Sequence, residues 1–320
     1  MPTISVVIPC YNGARYIGET LESVLAQNLP DIEIIVVDDG STDGSMAIVA
    51  GYPQVRPIVQ RSAGVAAARN TGLRHATGDY LVFLDHDDRL LPHALETNLL
   101  CLLDHPECAF AFGDIQHINT DGVLLPSRSA YGGGDYYLRL LHGSYIWTPG
   151  AAMYRRAVLE QLSGFDSRVD CVSHYDLNLR ITRLYPACYS KKLVLEYRLH
   201  DTNTSRDHAL MLRSEITVLR SQKRWVHRDP QYMRALRSGV RFYEDRYGRP
   251  LLAETVANIR RRRQWRETWT AMLTILRYAP LLPVRCAYLN MLAALRTPSR
   301  TSCAALAEDP SSTGKRSSPS

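Results

Sequence analysis

Two acidic clusters that directly follow apolar segments contain the residues best suited to chemistry. The sequence IIVVDDGS covers residues 34–41, and LVFLDHDD covers residues 81–88. Carboxylates this close together repel one another, and a divalent cation or the hydroxyl groups of a ribose relieve that repulsion. The two clusters therefore predict a binding site for a metal-bound nucleotide diphosphate.

The apolar segments before the clusters predict the strands that position them. Uninterrupted apolar runs bounded by turn residues are typical of strands buried on both faces of a parallel sheet. Predicted helices alternate over the first 88 residues with predicted strands at 4–9, 32–38, 55–59 and 80–84. This order predicts an α/β fold with a doubly wound, mostly parallel sheet and flanking helices. Ligands bind beyond the carboxyl ends of such strands, so we expect both clusters to open onto one crevice.

Charge is divided unevenly along the 320 residues. Residues 1–205 contain 16 Lys and Arg against 23 Asp and Glu, whereas residues 206–300 contain 20 against 7. We expect residues 1–205 to form the domain that carries the crevice, and residues 206–296 to form a basic helical extension. Residues 297–320 are rich in Ser, Pro and Thr and are expected to be a disordered tail. The basic extension favours an anionic partner, such as lipid head groups or an acidic acceptor.

The cysteines and the hydropathy pattern indicate the compartment. The chain has seven cysteines, an odd number without a CxxC pair, which favours a reducing environment over a disulfide framework. We see no apolar signal segment, and no uncharged apolar stretch of about 18 residues predicts a transmembrane helix. We therefore expect a cytoplasmic protein whose basic extension makes peripheral contact with the anionic inner face of the cell membrane.

Four sequence blocks occur in an order and at a spacing that resemble family 2 glycosyltransferases. The blocks are SVVIPCYN at 5–12, IVVDDGSTD at 35–43, AARNTG at 67–72 and FLDHDD at 83–88. Weaker matches continue to about residue 205. The resemblance implies a GT-A fold and an inverting transfer of a sugar from a nucleotide diphosphate sugar, with Mg²⁺ or Mn²⁺ as the cofactor.

The first two blocks imply contacts with the nucleobase of the donor. Pro9, Tyr11 and Asn12 leave the first strand at the crevice, and by resemblance Tyr11 stacks on the base. The alternative for Tyr11 is a ring that packs against the end of the strand. Asp38 is expected to accept a hydrogen bond from the imide of a uracil, which favours a UDP-sugar. Asp39 is expected to cap the following turn.

The third and fourth blocks imply contacts with the diphosphate and the ribose. Arg69 is expected to offset pyrophosphate charge with its planar guanidinium, and the alternative is an arginine on a solvated helix surface. In the D-x-D pattern, the resemblance implies that Asp85 faces the ribose and that Asp87 ligates a metal bridging the phosphates. By resemblance, Arg198 and His200 close over the diphosphate or complete the metal shell, although a histidine in this setting is more often structural.

The catalytic base is where the chain departs from the family pattern. In the family, a Glu-Asp pair precedes an aromatic residue that is followed by Asp-Leu, and the Asp of the Glu-Asp pair is the base. Here Ser173 and His174 occupy the positions of that Glu-Asp pair. His174 is our preferred base, because an imidazole with its ordinary pKa of about 6.5 is competent near neutral pH. Asp176 or Asp170 as the base is the second interpretation, and loss of the base is the third.

The basic extension contains four consecutive arginines at residues 260–263, followed by Trp265 and Trp269. Basic residues beside tryptophans on an apolar face are typical of a helix that lies in a membrane interface. A helix packed on the core with a solvated basic face is the alternative. No recognised motif favours nucleic-acid binding, and the acidic crevice argues against it.

These observations predict a metal-dependent glycosyltransferase that moves a sugar, most simply from a UDP-sugar, to a hydroxyl of a glycan or lipid-linked acceptor. We expect the acceptor over residues 145–180 and a context of cell-envelope polysaccharide synthesis. The alternative is a non-catalytic protein of the same fold that binds a nucleotide sugar or acts as a membrane-associated scaffold. The replacement of the usual Glu-Asp pair by Ser173 and His174 is the reason for keeping that alternative.

Overall fold

The apolar segments of the chain form the strands of one sheet in a computed structural model, which describes residues 3–126, 133–261 and 264–288. The strands are β1 (Ile4–Cys10), β2 (Ile32–Asp38), β3 (Val55–Val59), β4 (Tyr80–Phe83), β5 (Arg89–Leu90), β6 (Phe110–Ile118), β7 (Ala152–Arg155) and β8 (Ala187–Arg198). Every residue of β1 and β4 is buried, as expected for strands that are covered on both faces.

Helices connect and flank these strands and form most of the chain beyond residue 205. They are α1 (Ile17–Leu25), α2 (Ser45–Val49), α3 (Val65–His75), α4 (Ala94–Asp104), α5 (Tyr136–His142), α6 (Arg156–Gln161), α7 (Ser173–Thr182), α8 (His208–Val226), α9 (Pro230–Tyr243), α10 (Arg249–Arg261) and α11 (Trp265–Tyr278). Short 3-10 helices occur at Pro149–Ala151, Ser167–Val172 and Thr204–Arg206, and a π-helical turn at Glu244–Gly248.

The strands are ordered β3-β2-β1-β4-β7-β6-β8-β5. β1 pairs in parallel with β2 and β4, β2 pairs in parallel with β3, and β6 pairs in parallel with β8. Among the named strands, the antiparallel pairs involve β7, which lies between β4 and β6, and β5 at the edge, and an isolated antiparallel bridge joins Ile118 to Leu124. The predicted α/β fold with a doubly wound, mostly parallel sheet and flanking helices is confirmed.

The register of the sheet brings the ends of β1 and β2 to one edge, where Cys10 lies opposite Asp38. Asn12 then fastens the two exits together. Its backbone N–H donates to Ser41 Oγ at 2.9 Å, and its Oδ1 accepts the N–H of Thr42 at 2.8 Å. Asn12 has a φ of 51°, a left-handed conformation that asparagine tolerates better than most residues. The acidic clusters are thus held at the same edge of the sheet.

The chain divides into two compact units, residues 1–279 and 280–320. The predicted boundary after residue 205 falls inside the first unit, in which α8 packs against α9 and α11. In the second unit, residues 282–288 are helical. The predicted tail at residues 297–320 lies outside the described residues. Across the described ranges, no helix has the length and apolar character needed to span a membrane.

Glu215 on α8 is a carboxyl group buried inside the first unit. Burial raises its pKa to about 8, although a hydrogen bond with Tyr243 and the charge of Arg246 oppose the shift. Its Oε2 atom has no hydrogen-bond partner among the described residues. The fold therefore favours the neutral, protonated acid.

The raised pKa of Glu215 makes stability depend on pH. Because the folded-state pKa of about 8 lies above the ordinary value of 4.5, this contribution is fully present below about pH 4.5 and is lost as the pH rises through about 8. Between those limits we expect the free energy of unfolding to fall by about 1.4 kcal/mol per pH unit. Glu215→Gln stays neutral, so it should flatten this profile and unfold at a higher temperature than the wild type near pH 8. Thermal unfolding over this pH range measures the effect, and parallel profiles for the two proteins would contradict it.

Candidate active site

A cavity of about 1090 Å³ opens where β1, β2 and β4 end, and we call it the crevice. Eight predicted site residues line it: Pro9, Tyr11, Asn12, Arg69, Asp85, Asp87, His174 and His200. Three predicted site residues are not on its wall: Asp38, Asp176 and Arg198. Its position beyond the carboxyl ends of parallel strands is the usual place for a ligand in an α/β fold.

The wall at the end of β1 is formed by Pro9, Tyr11 and Asn12. Tyr11 exposes 53% of its surface, so its ring is not packed against the end of the strand. An exposed aromatic face at a crevice is available to stack on a planar base. The structure therefore favours the stacking interpretation of Tyr11 over the packing one.

The two aspartates at the end of β2 have different surroundings from those predicted. Asp38 is buried, and its Oδ1 accepts the N–H of Ser41 at 3.1 Å, so Asp38 shapes the turn. Asp39 is also buried, but it lines the crevice, and its carboxylate accepts from Gln60 Nε2 at 2.7 Å, from Ser62 Oγ at 3.3 Å and from the N–H groups of Ala63 and Gly64 at 2.8 and 2.9 Å. Successive residues of an extended chain point to opposite sides. The assignments of the two aspartates are therefore corrected, with Asp39 at the crevice and Asp38 in the turn.

Arg69 is only 3% exposed, so the alternative of a solvated helix arginine is wrong. Its Nη2 donates to Asp85 Oδ1 at 2.6 Å, and its Nη1 donates to Ser173 Oγ at 3.4 Å. The Thr148 hydroxyl donates to the other oxygen of Asp85 at 3.3 Å. Arg69 Nε has no hydrogen-bond partner among the described residues. A guanidinium that lines a crevice is suited to an anionic ligand.

Asp87 and His200 form the second polar pair, with His200 Nε2 at 2.8 Å from Asp87 Oδ2. The His200 ring stacks on Tyr16 with 5.3 Å between ring centres, and its Nδ1 lies 2.9 Å from the Thr202 hydroxyl. Burial works against ionisation of Asp87, but the hydrogen bond with His200 and the charge of His86 prevail and hold its pKa below the ordinary value. Asp87 is thus an ionised carboxylate beside a fixed imidazole.

Arg198 supports the Asp87 segment from a fully buried position. Its Nη2 donates to Glu19 Oε2 at 2.6 Å, and its Nε donates to the backbone carbonyl of Asp87 at 3.0 Å. The Tyr16 ring centre lies 4.6 Å from the guanidinium carbon. The predicted contact of Arg198 with the diphosphate is therefore corrected. Because its donors are used within the protein, Arg198 positions the chain that carries Asp87.

His174 lies in the first turn of α7 and lines the crevice. Burial, followed by the positive charge of Arg69, lowers the pKa of the imidazole to about 3. The predicted base was assumed to have an ordinary pKa, and that assumption is wrong for the ligand-free protein. At neutral pH, His174 is uncharged and is a weak proton acceptor.

The two carboxylates offered as alternative bases differ in position. Asp176 is buried away from the crevice wall, and its Oδ2 accepts from Arg180 Nε at 2.7 Å, one helical turn further on. Its proposed catalytic role is corrected on this ground. Asp170 does line the crevice, but its Oδ1 accepts the N–H of Ala66 at 2.7 Å and its Oδ2 that of Val65 at 3.3 Å. Asp170 therefore also fixes the start of α3.

One wall of the crevice comes from the helices beyond residue 205, where the sequence predicted no site residue. α8 contributes Leu210, Met211, Arg213, Ser214 and Thr217, and the end of α11 contributes Tyr278. No family block reaches these residues. The spacing of 210, 214 and 217 along one face of α8 is the signal that would have marked them.

Comparison with known proteins identifies the class that the fold and the crevice define. Residues 5–163 match the family model described as Glycosyl transferase family 2. Residues 5–163 belong to the family 2 glycosyltransferases, and the resemblance carried by the four sequence blocks is confirmed.

The alignments with curated relatives cover about two thirds of this chain. The chain is 31% identical over 212 residues to chondroitin synthase of Escherichia coli, an alignment that covers 64% of the chain and 30% of that relative. It is 33% identical over 224 residues to the uncharacterized glycosyltransferase YibD of Escherichia coli strain K12, with 64% of each protein covered. The chain therefore spans less than two thirds of the length of both relatives.

Solved structures share the fold at low sequence identity. Staphylococcus aureus TarS 1–349 in complex with UDP-GlcNAc superposes with a TM-score of 0.65 and 19% identity, covering 90% of this chain and 83% of that one. The mannosyltransferase PcManGT from Pyrobaculum calidifontis, in complex with GDP-Man and Mn²⁺, superposes with a TM-score of 0.57 and 22% identity. The superposition covers 94% of this chain and 82% of that one. The predicted GT-A-type fold is confirmed.

Proposed function

We propose that this protein is a metal-dependent, inverting glycosyltransferase that moves a sugar from a UDP-sugar to a hydroxyl of a glycan or lipid-linked acceptor. The proposal is carried by one observation: the Arg69–Asp85 and Asp87–His200 pairs lie in the same crevice. A cytoplasmic location at the membrane and a role in cell-envelope polysaccharide synthesis complete the proposal. The relative named chondroitin synthase supports a polysaccharide product.

The donor nucleotide occupies the wall formed by the ends of β1 and β2 in this proposal. The exposed ring of Tyr11 stacks on the base, and Asp39 accepts a hydrogen bond from the uracil imide. Asp85 binds the ribose, and the positive charge of the Arg69 guanidinium attracts the diphosphate. The TarS structure that shares this fold was solved with UDP-GlcNAc, which supports a UDP-sugar.

Asp87 and His200 fit the divalent cation that the family resemblance implies. Carboxylate oxygens suit Mg²⁺ and Mn²⁺, and an imidazole nitrogen beside them favours the transition metal. Within the described ranges, no three His, Cys, Asp or Glu side chains are grouped to hold a metal, so donor phosphate oxygens are needed to complete the shell. When bound, the cation stabilises the leaving diphosphate as a Lewis acid. PcManGT, which was solved with GDP-Man and Mn²⁺, supports this assignment.

His174 accepts the proton of the acceptor hydroxyl in our proposal. Its pKa of about 3 reflects burial and the Arg69 charge. A diphosphate bound beside Arg69 adds negative charge that offsets the guanidinium, so donor binding raises the proton affinity of His174. The acceptor oxygen attacks the anomeric carbon on the side opposite the departing diphosphate, which inverts the configuration. Asp170 is the rival base, because it is the other candidate that lines the crevice.

In this proposal, the acceptor occupies the wall to which residues 145–180, the predicted acceptor region, contribute. Trp147 and Arg168 from that region and Arg213 from α8 line the crevice. An aromatic ring can stack on a sugar, and the exposed guanidinium of Arg213 attracts an acidic group on the acceptor, whereas Arg168 is already paired with Asp166.

A non-catalytic nucleotide-sugar-binding protein is the second candidate function. Two observations favour it: Ser173 and His174 replace the usual Glu-Asp pair, and the imidazole has a low pKa. It binds the same donor through the same wall, so binding alone does not separate the two candidates.

Release of nucleotide from UDP-, GDP- and dTDP-sugars, with and without Mn²⁺, tests the proposed function. We expect slow, Mn²⁺-dependent release of UDP from one UDP-sugar, and nuclear magnetic resonance should show that the freed sugar has inverted at its anomeric carbon. Metal-dependent binding without release, in the presence of candidate acceptors, would support the binding protein instead. Release of pyrophosphate from a nucleoside triphosphate would indicate a nucleotidyltransferase and would contradict the proposal.

A further inference from the structure

One face of α11 carries large apolar side chains that the first unit leaves in solvent. Trp265, Trp269, Leu273 and Leu276 are each at least 60% exposed. Their spacing of four, four and three residues places them along one side of the helix. The residues of α11 that pack inward are others, Thr268, Ala271 and Ile275. We call the four exposed residues the α11 stripe.

Arginines border the α11 stripe. Arg266 and Arg277 are eleven residues apart, a separation that returns to the same side of a helix, and they lie beside the stripe. Arg260 and Arg261 end α10, which packs against α11. These four arginines are exposed, and none forms an ion pair within the part of the chain that the structure describes. The face therefore combines a contiguous apolar surface with uncompensated positive charge.

We propose that the α11 stripe and its bordering arginines bind the surface of an anionic lipid bilayer. α11 has 14 residues, too few to cross a membrane, but a helix of this length lies readily in the plane of the interface. Tryptophans insert at the level of the head groups, while arginines pair with lipid phosphates above them. This inference is independent of the transfer reaction, because bilayer binding requires no donor.

A second copy of the chain is the competing occupant of this face. A two-fold interface sets the same patch against itself, which would bring the four arginines of one copy towards those of the other. The repulsion between like charges disfavours that pairing, whereas an anionic bilayer neutralises the same charges. The charge pattern therefore selects the lipid surface.

Flotation of the full chain with vesicles of phosphatidylcholine, alone or mixed with phosphatidylglycerol, tests the inference. We expect binding to the mixed vesicles only, with a decline at high salt. Trp265→Ser/Trp269→Ser should weaken the binding by on the order of 10-fold or more, because two inserted rings are lost. Arg260→Glu/Arg261→Glu should weaken it by a similar factor without altering the apolar face. Trp225→Ser is the matched control, since Trp225 is an exposed tryptophan on α8.

Absence of binding to either vesicle, or binding that Trp265→Ser/Trp269→Ser leaves unchanged, would exclude this face as the membrane contact. Light scattering that shows a dimer in the wild type and a monomer in this variant would assign the stripe to a second copy.

Discussion

Replacing Asp87 with asparagine is expected to lower turnover by on the order of 1000-fold, since several kcal/mol of stabilisation of the leaving group is lost. Asparagine keeps the shape of the side chain but removes the charge that holds the proposed cation. It also weakens the 2.8 Å contact with His200. Turnover at saturating donor and Mn²⁺ is the measurement, and the remaining activity should no longer respond to Mn²⁺.

Asp104→Asn is the matched control for this experiment, because Asp104 is an exposed aspartate at the end of α4 and does not line the crevice. It should retain the turnover of the wild type. If Asp87→Asn stayed within about tenfold of the wild type, a cation held at Asp87 would have no part in the rate-limiting step.

His174→Ala is expected to lower turnover by about 10²- to 10⁴-fold, the usual contribution of a general base, while donor affinity changes little. Alanine removes the proposed proton acceptor but leaves Arg69, Asp85 and Asp87 in place. The wild-type rate should fall at acidic pH as His174 becomes protonated, with a midpoint above its ligand-free pKa of about 3 when donor is bound. The variant should lose this acidic limb.

Two further variants decide between the candidate bases. Ser173→Glu/His174→Asp installs the Glu-Asp pair of the family, and Arg69 Nη1, now 3.4 Å from Ser173 Oγ, is placed to pair with the new glutamate. We expect this double variant to turn over at least as fast as the wild type. Asp170→Asn should keep most activity if His174 is the base. Retained activity in His174→Ala together with its loss in Asp170→Asn would assign the proton transfer to Asp170.

The parts of the fold that local pattern determines are predictable from the sequence. β1 and β4 are uninterrupted apolar runs whose residues are all buried, so hydrophobicity alone predicts central strands. Once those strands are parallel, the residues that follow them must meet at one edge. The pattern therefore predicts Tyr11, Asp85 and Asp87 at the crevice, and all three line it.

The incorrect predictions concern residues whose role is determined by their neighbours in the fold and not by their type. Arg198 carries a charge that suits a diphosphate, but Glu19 and the Asp87 carbonyl engage it in the interior. Asp176 is engaged by Arg180 on the same helix. Neither set of contacts follows from the type of residue, because both depend on the direction in which the side chain points from its strand or helix.

The pKa of His174 shows a further limit of sequence reasoning. An imidazole has an ordinary pKa only while water surrounds it, and packing at the start of α7 removes part of that water from His174. The guanidinium that adds to the shift belongs to Arg69, more than 100 residues earlier in the chain. The crevice wall on α8 escaped prediction for the same reason, since only the folded chain brings it to the ends of β1 and β4.

Thermal unfolding with UDP, GDP or dTDP, each with and without Mn²⁺, tests most directly whether the crevice holds a metal-bound nucleotide. We expect UDP to stabilise the wild type, with most of the stabilisation present only when Mn²⁺ is added. Asp87→Asn should lose the metal-dependent part. If no nucleotide stabilised the wild type under either condition, the assignment of the crevice to a nucleotide-sugar donor would be wrong.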